Sequence, residues 1–112
     1  MFDLGGLWIA AKYEIPILVI MYNNRAYYND WAHQISVANK RGTDPDRAYI
    51  GMDLEGPAPD FAHIAKGLDW YAEGPITDPK DIQSAVKRAM KEVKKGKPAL
   101  VDIITWRRGE AA

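Results

Sequence analysis

Apolar and polar positions follow one another along the chain in blocks whose period switches from helical to extended and back. Leu4, Leu7, Trp8 and Ala11 recur at i, i+3, i+4 and i+7 behind Asp3, predicting a helix over roughly 3–13 with one stripe against a core. Gly5 and Gly6 fall in its first turn, at a cost of about 1 kcal/mol each relative to alanine. Glycine there makes sense if another group, a cofactor or a neighbouring element, approaches the backbone closely. The residues from Ile15 to Tyr22 form a β-branched apolar run that starts around Pro16 and ends on Asn23-Asn24. The run predicts a strand at about 15–22 buried on both faces, and such strands are usually parallel.

From Arg25 to Gly42 the chain is polar and aromatic, with Tyr27, Tyr28, Trp31 and His33 close together, and reads as a loop with a short helix near 28–38. Pro45, Pro57, Pro59, Gly42, Gly51 and Gly56 make the stretch to residue 59 an irregular connection. Helical spacing returns at Phe61, Ile64, Ala65 and Leu68, with Asp60 in the first turn, where a carboxylate favours the helix dipole. A short strand at Trp70–Ala72 or slightly longer follows, broken by Gly74-Pro75. Asp78-Pro79 then supplies an N-cap and a proline at the first helical position. Ile82, Ala85, Val86, Ala89, Met90 and Val93 give that helix one apolar face, and Gly96 stops it. After Pro98, the residues 99–105 read as a second buried strand.

This alternation predicts an α/β fold, a parallel sheet flanked by helices, in a single domain over 1–112. Three strands make a narrow sheet, and the first helix has no strand in front of it, although a helix of this kind normally follows one. The expectation is the later part of a larger α/β domain. A truncated parallel sheet leaves an unpaired edge and uncovered apolar faces, which predicts a homo-oligomer or pairing with a chain that carries the missing half.

Composition narrows the chemistry. With fifteen basic and fifteen acidic residues the formal net charge is zero, so no global field attracts nucleic acid or an anionic membrane. Cysteine is absent, which removes disulfides, thiolate metal sites and cysteine nucleophiles together. No segment has the length of a membrane span and the first residues lack the layout of a signal peptide, so a cytoplasmic protein is expected. Candidate chemistry belongs after the first strand, because open α/β sheets bind ligands beyond the carboxyl ends of their strands. The Asn23-Asn24 pair stands there, though asparagine also suits a plain polar turn. His63, on a helix beside Ile64, reads as structural.

The run Leu7-Trp8-Ile9-Ala10-Ala11-Lys12-Tyr13-Glu14-Ile15-Pro16-Ile17, followed by Tyr22-Asn23-Asn24, resembles the second half of the thiamine diphosphate signature, which opens on Gly-Asp-Gly and closes on Asn-Asn. Gly74-Pro75-Ile76, Asp78-Pro79 and the stretch from Gly96 to Asp102 continue the likeness, to the C-terminal cofactor-binding domain of the acetolactate synthase and benzoylformate decarboxylase group. The resemblance implies thiamine diphosphate and magnesium as cofactors, with a 2-oxo acid as substrate. It implies that the Asn24 side chain and the Ala26 carbonyl ligate the metal, with Tyr28 also at the cofactor. Asn29, Asp30 and His33 are the residues it implies for contact with thiazolium or substrate. Tyr27, Tyr28 and Trp31 would form a substrate wall or simply pack the loop.

Two features depart from the family. No Gly-Asp-Gly is present, with Met1-Phe2 about where the residues after it fall, and Asp69 stands where relatives usually have glycine. The family also takes an activating glutamate from a separate pyrimidine-binding domain. The isolated chain is therefore expected to be inactive, as part of a decarboxylase or acyl-transferring enzyme. The alternative is a non-catalytic α/β binding or assembly module.

Overall fold

A computed structural model describes residues 3–106. Two compact units divide the described residues: 3–22 with 60–104, and 23–59 with 105–106. The first holds helices α1 (Gly5–Lys12), α3 (Phe61–Gly67) and α4 (Pro79–Lys94) and most of a three-stranded sheet, β1 (Leu18–Asn23), β2 (Tyr71–Ile76) and β3 (Ala99–Ile104). The second holds α2 (Tyr28–Arg41) and a short 3-10 turn at Pro45–Arg47.

The sheet order is β1-β3-β2, and β2 runs parallel to β3. Ala99 donates to the Ile17 carbonyl at 2.9 Å and Thr105 to the Asn23 carbonyl at 3.0 Å. Partners that advance together along both strands make that pair parallel as well. Helices lie on both faces. On one, Ala10 of α1 and Ala62 and Ala65 of α3 pack with Trp70, Ala72 and Leu100; on the other, Ala85 and Ala89 of α4 pack with Ala99, Val101 and Ile103. Alanine on the helix side of both cores lets the helix backbone approach the sheet closely. Trp70 is buried, and its indole N–H donates to the Leu7 carbonyl at 2.6 Å, giving its polar edge a partner.

Several expectations need correcting. β3, whose first five residues are buried, is the central strand, whereas β1 lies at the edge with Ile20 40 % and Tyr22 76 % exposed. An apolar run does not by itself distinguish a central strand from an edge one. β2 is not broken at Gly74-Pro75 but runs through it, the register slipping between Glu73 and Ile76. Leu4, not Asp3, is the N-cap of α1, although the Asp3 carboxylate still accepts from the Gly6 N–H at 3.3 Å. The group closest to the first-turn glycines is that carboxylate: a Cβ on Gly5 would stand 3.1 Å from it. Asp60 caps α3 from just outside, accepting from the His63 N–H at 2.8 Å. Asp78 caps α4 by accepting from the Lys80 N–H at 2.9 Å, with Pro79 next. Asp69 takes the left-handed conformation, φ 65°, that glycine takes more cheaply.

β2 and α4 are joined by a polar clasp. Arg88 donates through Nε and Nη2 to the two oxygens of Glu73 at 2.8 and 2.7 Å, and Tyr71 donates its hydroxyl to Glu73. The Arg88 guanidinium holds the Glu73 carboxyl below its ordinary value, against the opposing effect of burial. Burial, seconded by Glu73, pushes the Tyr71 phenol up. A carboxyl depressed by folding adds stability above its ordinary value of 4.5, lost as pH falls through the folded value. A raised phenol adds stability below 10.0, lost as pH climbs through the folded value. Glu73 is therefore expected to steepen the acid limb: Tm should fall more in the wild type than in Glu73→Gln as pH drops from neutrality to below about 4. Parallel acid limbs would show that the clasp adds nothing.

Candidate functional site

The loop after β1 is built from two consecutive asparagine turns. Asn23 Oδ1 accepts from the Arg25 N–H at 3.0 Å, and Asn24 Oδ1 from the Ala26 N–H at 3.1 Å. Asparagine is favoured because its carboxamide imitates a backbone acceptor two residues away. The two side chains then differ: Asn23 is 7 % exposed and belongs to the packed turn, whereas Asn24 is half-buried and reachable. Arg25, next after Asn24, takes φ 54°, which turns the chain sharply.

Ala26 pairs with Asp53 in an isolated antiparallel bridge. The bridge's hydrogen bonds run through the neighbours, Tyr27 N–H to the Met52 carbonyl at 2.8 Å and Leu54 N–H to the Arg25 carbonyl at 2.9 Å. Ala26 is thus the non-hydrogen-bonded member, and its carbonyl is turned away from the segment opposite. The loop carries two neutral hard oxygens two residues apart, Asn24 Oδ1 and the Ala26 carbonyl. Hard oxygens of this kind suit magnesium, which completes its shell with phosphate oxygens and water. Among the described residues no group of three His, Asp or Glu side chains could hold a metal by itself. Two neutral oxygens are compatible with part of a magnesium shell.

α2 begins one residue after Tyr27 and runs past the expected 28–38 to Arg41. None of its residues is fully buried, and Tyr28, Trp31, Ile35 and Ala38, three and four apart, form its half-buried side. Asn29, Asp30 and His33 are all exposed. Their spacing of three and four residues puts them on one side of the first turns of α2. Tyr28 is half-buried, and its ring meets Trp31 at 6.1 Å between centroids, with Trp31 meeting Tyr49 at 6.4 Å, both tilted. The aromatic residues thus pack on one another, with Tyr49 joining from the connection. His63 is exposed on α3, in the other unit.

Sequence reasoning passed over Arg25 and Glu55. Arg25 Nη1 lies 3.9 Å from Glu55 Oε1, and Arg25 Nε is buried with no hydrogen-bond partner among the described residues. The available signal was an arginine standing between the two residues implied for the metal.

A parallel α/β sheet with helices on both faces, and a polar turn beyond the carboxyl end of β1, has the architecture in which open α/β sheets place their ligands. Residues 1–103 match the thiamine pyrophosphate enzyme C-terminal TPP binding domain, and the chain belongs to that family. It is 28 % identical over 108 residues to the Mycobacterium tuberculosis protein IlvX, named for an acetolactate synthase large subunit, covering 93 % of this chain and 19 % of that protein. It is 26 % identical over 100 residues to sulfoacetaldehyde acetyltransferase of Alcaligenes xylosoxydans xylosoxydans, covering 88 % of this chain and 15 % of that one. The chain thus spans less than a fifth of either relative's length.

Proposed function

We propose that the chain contributes the metal and diphosphate side of a thiamine diphosphate- and magnesium-dependent site that acts on a 2-oxo acid, by decarboxylation or by acyl transfer. Membership of the TPP-binding family over 1–103 carries this reading. The oxygen donors of the loop support it. Asn24 Oδ1 and the Ala26 carbonyl would hold the cation, and Tyr28 would border the cofactor. Bound thiamine would supply the electron sink for breaking the bond to the carboxylate; the protein supplies position and electrostatics. Asn23 fixes the turn from which Asn24 and Ala26 present their oxygens. On the shared face of α2, the Asn29 carboxamide would orient the substrate, while the Asp30 carboxylate and His33 imidazole would pass a proton to or from its oxygen.

Alone, the chain would bind without turning over, since the anionic third ligand and the activating glutamate come from elsewhere. Calorimetry with thiamine diphosphate and magnesium should give saturable binding, and assays with pyruvate and benzoylformate should give no turnover. Robust turnover by the chain alone would overturn the expected inactivity. Absence of any metal-dependent cofactor binding would favour the reading as a non-catalytic binding or assembly module.

Assembly follows from the first unit. Ile15, Ile17, Ile20 and Tyr22 are exposed along and before β1, and Trp8 and Tyr13 on and beside α1. No charged residue interrupts 15–22 to discourage edge pairing. A homo-oligomer, or a complex with a chain supplying the rest of the site, would cover these residues. Sedimentation is expected to show mass rising with concentration, and a monomer at every concentration would count against self-association.

A further inference from the structure

We propose that Arg25 is an oxyanion-binding residue of the loop, its guanidinium resting beside Glu55 until a paired-oxygen anion, a carboxylate or a phosphate, takes that place. Two arginines of this chain show the contrast. Arg88 satisfies Nε and Nη2 on the two oxygens of Glu73 at 2.8 and 2.7 Å. Arg25 reaches Glu55 only at 3.9 Å, beyond hydrogen-bond range, and its buried Nε has no hydrogen-bond partner among the described residues. A buried donor left unmade is costly, and each such group in a folded protein calls for an explanation. An acceptor that arrives with a ligand supplies one.

The backbone around the pair is fixed while the pair itself is loose. The Arg25 N–H is held by Asn23 and its carbonyl by the Leu54 N–H, and the Glu55 N–H donates to Asp53 Oδ1 at 3.1 Å. The side chains of Arg25 and Glu55 are 34 % and 49 % exposed, so their long contact contributes little and is cheaply exchanged. With the guanidinium swung away from Glu55 so that Nε is uncovered, a carboxylate or phosphate that engages Nε and a terminal nitrogen together would make the two parallel bonds that arginine's planar fork is shaped for. Arg25 stands between the Asn24 and Ala26 donors, where the anionic groups of cofactor and substrate would gather. The inference rests on the proposed cofactor reading only for the source of that anion.

The test reads the Nε–H resonance of Arg25 in ¹H–¹⁵N spectra of the full chain, assigned with Arg25→Lys, during separate titrations with inorganic pyrophosphate and with benzoylformate. The resonance is expected to move saturably with at least one probe, and the probe that moves it identifies the source. Glu55→Gln should tighten binding of that probe several-fold by removing the competing carboxylate, and Arg25→Gln should weaken it about tenfold or more. Removing a negative charge tightens a nearby anion by itself, so the tightening must disappear when Arg25→Gln is combined with Glu55→Gln. A resonance unmoved by both probes, or moved without tightening in Glu55→Gln, overturns the proposal. If thiamine diphosphate with magnesium fails to bind but pyrophosphate moves the resonance, the cofactor reading falls while Arg25 stands. Cofactor binding with Nε–H unmoved by either probe gives the reverse.

Discussion

Asn24→Ala is expected to weaken magnesium-dependent binding of thiamine diphosphate by at least about tenfold while leaving the chain folded. The Asn24 carboxamide oxygen accepts from the Ala26 N–H at 3.1 Å, and losing one such bond in a half-buried turn costs only about 1 kcal/mol. Removing a metal ligand should exceed the 10–100-fold typical of losing the groups that merely orient one. Binding therefore falls much further than stability. Asn23→Ala is the control with the opposite pattern, because Asn23 is buried and its carboxamide accepts from the Arg25 N–H. It should cost more in Tm and reach the cofactor only through the displaced turn. Asn24→Asp keeps the oxygen, puts a second one in place of the amide nitrogen and adds charge, so it should retain cation binding. The measurement is calorimetry at fixed magnesium with thermal unfolding of the same samples. Equal affinities for wild type and Asn24→Ala would remove the Asn24 carboxamide from the metal shell.

The features legible in the sequence are those fixed by neighbours along the chain. α4 follows from a capping aspartate, a proline in the first turn and one apolar face, all within sixteen residues. The two asparagine turns are equally local, each joining residues two apart. What escaped is non-local. The edge position of β1 depends on strand order, which periodicity does not encode, and an apolar run whose Ile20 and Tyr22 are exposed looks like one that is buried. The continuation of β2 through Gly74-Pro75 depends on its neighbour β3 and a slipped register. The Arg25 and Glu55 pair is brought together by the Ala26–Asp53 bridge, joining segments far apart in sequence with no pattern to announce it.

Gly74→Ala is expected to be among the most damaging single substitutions, costing about 2–6 kcal/mol. Gly74 lies in β2 at φ 137°, where a side chain strains the backbone by about 1–3 kcal/mol. A Cβ there would stand 2.7 Å from both the Cβ and the carbonyl oxygen of Asp102. Asp102 is 1 % exposed in the central strand, so the obstacle is largely backbone held on both sides and cannot swing away as a surface side chain would. Relieving such a clash by shifting packed elements adds about 1–3 kcal/mol. Against the 5–15 kcal/mol typical of a whole domain, the sum is a large fraction, equivalent to a Tm loss of about 10 °C or more. Gly96→Ala separates the two contributions. Gly96 also has a positive φ, 93°, but nothing lies within 4 Å of the position its Cβ would take. It should show backbone strain alone, so its Tm loss is expected to be the smaller. If the two alanines cost the same, the close approach of β2 to Asp102 is not what demands glycine at position 74, and strain alone sets the requirement.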